Sequence, residues 1–421
     1  MKVNPLEFSS TLHSSLLKTI GQAVYTSDIT LPDCVYGHVV RSPYPHAKIC
    51  NIDVSEARKL PGVYAVVTGK DVPGMNRLGK TKFDQPILAD DKVRSYIDAV
   101  ALIAAEDKET ALKAEKKIIL NLEPLSASFS CEESLTPGAE LIHTDSPKNI
   151  LSEIHLAKGD VDQGFAQADI IIEDSYQTPS IEHCYFEPDN GIILPETGNR
   201  YTLWVGCHNV YSEKKILSQT LNIPDDNVTV IQPFTGGSFG GKDDGLLTAY
   251  LALLAFYSKK PVRIAFSRRE LFISHTKRHP QWIKIRMGLL KDGTITAAHY
   301  EILTDTGAYA HWAEGIFSFA SLGAHGPYRI PNIKVDTRII YTNNIPMGAM
   351  RGWGMPGVAF AMESHLDQAA NQLSIHPLVL RWRNAAQDGD TLVTGSQFPN
   401  GVNIKETIRA AADYFGINLA G

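Results

Sequence analysis

Thr235-Gly236-Gly237-Ser238-Phe239-Gly240-Gly241-Lys242-Asp243-Asp244 is the densest glycine cluster of the chain. It lies between a β-prone run, 227–231, and an apolar helical run, 246–257. In that position its backbone N–H groups can point at an anion near a helix N-terminus. Four glycines around one phenylalanine cost backbone entropy on folding, which suits a place where backbone must approach a ligand closely. Gly236 to Lys242 almost fits a Walker A loop, but Asp243 stands where that loop needs a Ser or Thr hydroxyl for magnesium. A carboxylate there repels a triphosphate, which argues against nucleotide hydrolysis.

Outward from this loop the chain alternates strand-like and helical runs. Before residue 125, stretches 35–40, 63–68, 99–105 and 118–122 read as strands, and 55–60 and 109–117 as helical. Residues 126–160 hold Pro, Ser and acids in low periodicity and read as a linker. Beyond 161, strand-like runs at 168–176, 201–205, 227–231, 262–266, 282–288, 294–303 and 333–341 surround helices at 212–221, 246–257 and 358–373. The mixture predicts an α+β chain with one domain over 1–125, a linker over 126–160 and a second domain over 161–421.

Other motifs weigh less. Gly352-Trp353-Gly354-Met355-Pro356-Gly357 has the form G-x-G-x-x-G, yet no hydrophobic strand precedes it and Pro356 lacks an N–H for a phosphate. His275 and His279 enclose Lys277 and Arg278, with no carboxylate ligand nearby in sequence, and read as surface or packing residues. His183-Cys184 and Cys207-His208 are neighbours, which on a strand point opposite ways. Glu182 and Glu187 read as surface charge.

Composition narrows the classes. The 421 residues are 43% hydrophobic and 20% charged, enough for two or three domains with real cores. A net charge of -6 argues against broad attraction to nucleic acid or anionic membrane. Residues 1–20 have no apolar signal-peptide core, and the longest apolar run, 249–257, is about half of a membrane span. Cys34, Cys50, Cys131, Cys184 and Cys207 form no C-x-x-C pair, so neither an iron-sulfur cluster nor a structural zinc is expected. A reduced, cytoplasmic chain follows, with Asn227-Val228-Thr229 a chance glycosylation sequon.

Taken together, these segments resemble the xanthine dehydrogenase and aldehyde oxidase family, the molybdenum hydroxylases. Thr235 to Lys242 is similar to that family's G-G-G-F-G-G-K loop, and Ala349-Met350-Arg351-Gly352-Trp353-Gly354-Met355-Pro356 to its A-[FM]-R-G-[FY]-G-x-P loop. Gly21 to Asp28, Arg41 to Ala47 and Leu60-Pro61-Gly62-Val63 resemble its α/β-hammerhead domain. Glu187-Pro188, Lys277-Arg278-His279-Pro280, Asp305 to Tyr309 and Arg383-Asn384-Ala385 match in family order, over about residues 18–415.

The resemblance implies an N-terminal α/β-hammerhead domain followed by the first half of a molybdopterin-binding domain. It also implies oxidative hydroxylation of an N-heterocycle (xanthine-, hypoxanthine- or nicotinate-like) or an aldehyde, using water. The metal is carried by molybdopterin, in its plain or cytosine dinucleotide form, and needs no side-chain ligand. Phe239 and Gly240 match positions whose backbone lines the molybdenum centre, and Arg351 matches an arginine beside it. His208 stands where the family usually has a glutamine, so its hydrogen-bonding reach and protonation differ. Trp353 aligns with an aromatic that stacks on the substrate, Asp243 with a substrate-facing glutamate, and Phe319 with an arginine of purine-oxidising relatives. The bland alternatives are that Trp353 packs its loop and that Asp243 caps the helix starting near Gly245.

No catalytic residue is expected in this chain, because the general base lies on the family's second half. FAD and [2Fe-2S] centres are likewise expected on partner subunits, beside a second molybdopterin-binding subunit. The rival reading is a catalytically inactive scaffold or truncated pseudo-enzyme subunit. His208 and Gly357, where many relatives carry Gln, favour that rival; Phe239, Arg351 and the glycines favour the enzyme.

Overall fold

Gln281–Leu289 buries every second side chain, Gln281, Ile283, Ile285 and Met287, while Lys284 and Arg286 face water. That period-2 pattern is what a sheet with one covered face requires. The computed structural model describes residues 15–419, so most of the stretch read above for a targeting signal lies outside the described residues. The chain divides into two compact units. One is formed by the chain up to Gly79, Phe83–Leu125 and His183–His275; the other by Lys80–Lys82, Ser126–Glu182 and the chain from Thr276.

The first unit is built on a seven-stranded mixed sheet. Its order is Val228–Ile231, Arg200–Val205, Asn190–Glu196, Val262–Ala265, Val35–Arg41, Ala99–Ala105 and Val63–Thr68. Strands from before residue 125 thus share a sheet with strands from 190–265, although the sequence pattern divides them linearly. Ala99–Ala105 is buried at every residue, so it reads as a continuous apolar run instead of an alternating one. The helix Leu246–Ser258 is buried from Leu246 through Ala255 because it is apolar all round. Lys259 in the left-handed region and Pro261 end it.

The second unit carries a five-stranded sheet in the order Ile170–Thr178, Gln281–Leu289, Ile295–Gly307, Asn332–Tyr341 and Ile150–Lys158. The helices Ala313–Leu322 and Met355–Leu373 help cover one face, burying Phe317, Ala320, Val358, Met362 and Leu366 with Ile283, Tyr300 and Val335. Pro356 sits in the first turn of Met355–Leu373, where its missing N–H is harmless.

The linker reading over 126–160 is corrected. Cys131–Leu135 is a capped helix and Ile150–Lys158 is an edge strand paired with Asn332–Tyr341. The strand's apolar residues Ile150, Ile154 and Leu156 are only partly buried, so its pattern is diluted by Ser, Glu and His. Strands Ala47–Asp53 and Asn190–Glu196 and helix Ala313–Leu322 also lie outside the sequence-based elements.

Three buried acid–base groups in the second unit contribute to its pH response. Burial holds His279 down to about 3, helped by His311 and Arg278, and holds His365 down to about 4 against the pull of Asp174. Below about pH 6.5 an unfolded chain protonates both while the fold does not, so stability falls as pH drops from there towards those values. Asp305 acts oppositely. Burial pushes it up to about 6, although it accepts hydrogen bonds from the Gly307 N–H, the Thr342 hydroxyl and the Asn344 amide. Its contribution to stability is absent above pH 6 and grows as pH falls towards the unfolded value, offsetting part of one histidine. The urea-denaturation midpoint should therefore fall between pH 6.5 and 4.5, and His365→Gln should reduce the slope by up to about 1.4 kcal/mol per pH unit. An unchanged slope in that variant would show that His365 does not carry this dependence.

Candidate cofactor and substrate site

Strand Val228–Ile231 delivers the glycine-rich loop, and Phe234 is tied by a backbone bridge to Tyr25. The Gly241 N–H then donates to the Ser238 carbonyl at 2.8 Å, closing a turn around Phe239 and Gly240. Both central residues have positive φ, 52° and 100°, the condition of a type I′ turn. Gly240 takes this freely; Phe239 does so at a cost of about 1 kcal/mol and leaves its ring half exposed. The N–H groups of Gly237, Ser238, Phe239 and Gly240 make no hydrogen bond to any of the described residues. Successive unpaired amides of this kind form a nest for an anion or an oxygen ligand.

Glu187, Tyr185 and His275 support the loop. Glu187 Oε2 accepts from the Gly236 N–H and from Lys242 Nζ, both at 2.8 Å, and the Glu187 N–H returns to the Gly236 carbonyl at 3.1 Å. The Lys242 ammonium also lies 4.9 Å from the centre of the Tyr185 ring. Tyr185 donates its hydroxyl to Asp189 at 2.8 Å and meets His275 Nε2 at 3.2 Å, which in turn lies 3.0 Å from the Gly241 carbonyl. The approach is too close for side chains: a Cβ on Gly236 would lie 2.5 Å from Glu187 Cβ, and one on Gly241 2.7 Å from the Tyr185 ring.

Several expectations change here. Glu182 and Glu187 are not surface charge. Glu182 pairs with Lys277 at 2.5 Å and Glu187 with Lys242, all four side chains at most 10% exposed. In each pair the partner compensates part of the hydration lost on burial. His275 and His279 are both buried, so of the surface and packing roles expected for them it is the packing role that fits. Lys242 is not free for a phosphate, a second reason against a Walker A loop. Asp243 is buried and does not cap the following helix; Asp244 accepts from the Leu246 N–H at 3.0 Å. His208 donates its backbone N–H to the Lys242 carbonyl at 2.9 Å and exposes its side chain beside the loop. In the first unit, then, His208, Phe239, Gly240 and Asp243 come together.

The second unit repeats the turn. The Met355 N–H donates to the Gly352 carbonyl at 3.0 Å around Trp353 (φ 50°) and Gly354 (φ 81°). Trp353 packs edge-on to Trp312, ring centres 5.4 Å apart, and Lys80 Nζ lies 5.6 Å from the Trp312 ring. Arg278 fixes the preceding residue by donating to the Arg351 carbonyl at 2.7 Å. The Arg351 guanidinium is exposed and makes no hydrogen bond or ion pair among the described residues. Gly354 rests on Ile316 and Ala320 of helix Ala313–Leu322, which also carries Phe319, half exposed. Arg351, Trp353 and Phe319 therefore sit on one loop and the helix beneath it. Sequence reasoning missed Tyr185, Glu187, Asp189 and Trp312 as site-building residues; a charged Glu set directly after the aromatic pair Tyr185-Phe186 was the available signal.

Residues 20–126 match the aldehyde oxidase and xanthine dehydrogenase a/b hammerhead domain, and residues 142–385 the molybdopterin cofactor-binding domain. The chain is 38% identical over 399 residues to the nicotinate dehydrogenase large molybdopterin subunit of Eubacterium barkeri, covering 95% of this chain and 93% of that one. It is 34% identical over 392 residues to the xanthine dehydrogenase molybdenum-binding subunit of Escherichia coli O157:H7, covering 89% of this chain but 51% of the relative. Its fold is similar to aldehyde oxidoreductase from Desulfovibrio gigas, with a TM-score of 0.88 at 28% identity over 96% of this chain and 46% of that structure. The chain belongs to the aldehyde oxidase and xanthine dehydrogenase family, the molybdenum hydroxylases. It spans nearly all of the first relative and about half of the other two.

The turn geometry generates a paired prediction. Phe239→Gly should leave thermal stability within about 1 kcal/mol of wild type, because glycine accepts the positive φ that phenylalanine tolerates. Gly240→Ala should cost about 1–2 kcal/mol through the strained φ. Calorimetry of both variants checks this, and the opposite order would contradict the turn.

Proposed function

We propose that this chain forms one part of the molybdenum site of a multi-subunit hydroxylase that oxidises a flat N-heterocycle, with aldehydes as the alternative substrate class. The observation that carries the reading is the row of unpaired amides from Gly237 to Gly240. The donor set fits a molybdopterin group: a row of unpaired backbone N–H donors, on a loop that Glu187 and Tyr185 pack directly against at Gly236 and Gly241, with no need for a thiolate or imidazole cluster. When bound, that group supplies two-electron redox chemistry that places a water-derived oxygen on an electron-poor carbon.

The chain's own residues then have distinct tasks. Phe239 and Gly240 direct backbone N–H groups at the group's inner environment, and the Phe239 ring excludes water. His208 offers one imidazole hydrogen bond where relatives use an amide. Arg351 supplies an unpaired positive charge that favours an anionic cofactor and developing negative charge. Trp353, stiffened by Trp312, provides a stacking wall for a flat ring. Asp243 accepts an N–H from a ring nitrogen, and Phe319 offers the substrate an apolar surface where purine-oxidising relatives carry a guanidinium.

The first relative's name supports a heterocyclic, nicotinate-like substrate and a divided molybdopterin subunit. In this reading the hammerhead domain lies within 1–125, and the cofactor-binding part takes in strand Ile150–Lys158 together with 161–421. A second molybdopterin-binding chain supplies the general base, and FAD and [2Fe-2S] subunits carry electrons away. The cofactor is the cytosine dinucleotide form, the complex is cytoplasmic, and nucleic acid is not a partner. Among the described residues no helix is long and apolar enough to cross a membrane.

The complex isolated with its copurifying chains is assayed against xanthine, hypoxanthine, nicotinate, and aromatic and aliphatic aldehydes. A heteroaromatic should be preferred, and Trp353→Ala should lower its kcat/KM about 10-fold, as loss of one stacking contact implies. Arg351→Ala should lower kcat more than it changes KM, and the chain freed of its partners should not turn over. Preference for an aliphatic aldehyde, unaffected by Trp353→Ala or Asp243→Asn, would overturn the substrate assignment.

A further inference from the structure

Glu187 and Lys242 are the two charged side chains that join the ends of the glycine-rich loop, and neither carries a role in the reading above. Lys242 follows the turn and Gly236 precedes it; Glu187 Oε2 binds both, through the ammonium and the amide, at 2.8 Å. The pair is nearly sealed from water, with the Lys242 and Glu187 side chains 2% and 10% exposed. Glu187 is itself held, since Asn190 Nδ2 lies 3.3 Å from its Oε1 and donates to the Pro188 carbonyl at 2.9 Å. Lys242 is fixed at its main chain as well, donating to Ser238 Oγ at 3.2 Å and accepting from the His208 N–H at 2.9 Å.

The consequence is geometric. One carboxylate sets the distance between the start and the end of the loop, and that span fixes how far the Phe239–Gly240 turn is pushed outward. The same lysine carbonyl receives the backbone of His208. We propose that Glu187 and Lys242 are positioning residues: a buried ionic latch that holds the Gly237–Gly240 amides and His208 in one arrangement for the molybdopterin group. This rests on the functional reading above. A latch of this kind is ionic because the loop itself, four glycines and no apolar side chain but Phe239, has almost nothing to bury.

Single substitutions leave one buried charge unpaired, which is costly to folding. The decisive variant is therefore the double substitution Glu187→Gln with Lys242→Met, which removes both charges at nearly constant volume. In the assembled complex it should melt close to wild type, yet molybdenum per complex should fall several-fold. The electron paramagnetic resonance spectrum of the molybdenum that remains should change. A single Glu187→Gln variant should lose molybdenum and also melt lower. If the double variant keeps the full molybdenum content and an unchanged spectrum, the pair is only a structural filler and the proposal fails. A wild-type complex that holds no molybdenum would instead overturn the functional reading, and the latch with it.

Discussion

Backbone with positive φ at both Phe239 and Gly240, and again at Trp353 and Gly354, is the constraint on which both loops depend. A helical continuation into Leu246–Ser258 would give the amides of the first turn carbonyl partners within the chain. The left-handed turn prevents this. It leaves donors open to a ligand and the Phe239 ring half exposed, whereas in the second turn the Trp353 N–H still donates to the Met350 carbonyl at 2.9 Å. Glycine at the second turn position makes the geometry affordable, and an aromatic at the first accepts strain of about 1 kcal/mol, which persists because the surrounding structure fixes it.

That fixing is polar and buried. Beneath the first loop, Glu187–Lys242 and the Asp189–Tyr185–His275 network hold the loop's two sides, Gly236 and Gly241. Beneath the second, Arg278 holds the Arg351 carbonyl while helix Ala313–Leu322 supports Gly354. Fully partnered polar groups of this sort specify one arrangement more sharply than apolar contacts, because any displacement strands a charge. On the second loop the exposed Arg351 guanidinium makes no hydrogen bond or ion pair among the described residues.

The sequence was most legible where periodicity and composition agree. Residues 246–257 are apolar on every face and form the buried helix Leu246–Ser258; residues 282–288 alternate and form the middle of strand Gln281–Leu289. The family pattern was legible in the order of its glycine and proline motifs, each weak by itself. Strand Ile150–Lys158 was not, since an edge strand buries little and its alternation is masked by polar residues. The support of the loop was hidden for another reason: Glu187 and Lys242 are 55 residues apart, and a lone glutamate gives no local sign that its partner is buried with it. Asp243 and Asp244 show the same limit, as adjacent identical residues of which only the second caps the helix.

Amide hydrogen exchange across residues 237–240 tests most directly whether this loop holds the cofactor. These N–H groups have no acceptor among the described residues, so in cofactor-stripped complex they should exchange at nearly the rate of an open loop. In the molybdenum-loaded complex, oxygen or sulfur acceptors of the bound group should slow them by orders of magnitude, while exchange in the buried helix Leu246–Ser258 stays the same in both. Equal, fast exchange at 237–240 with and without the cofactor would contradict the assignment of this loop to the molybdenum site.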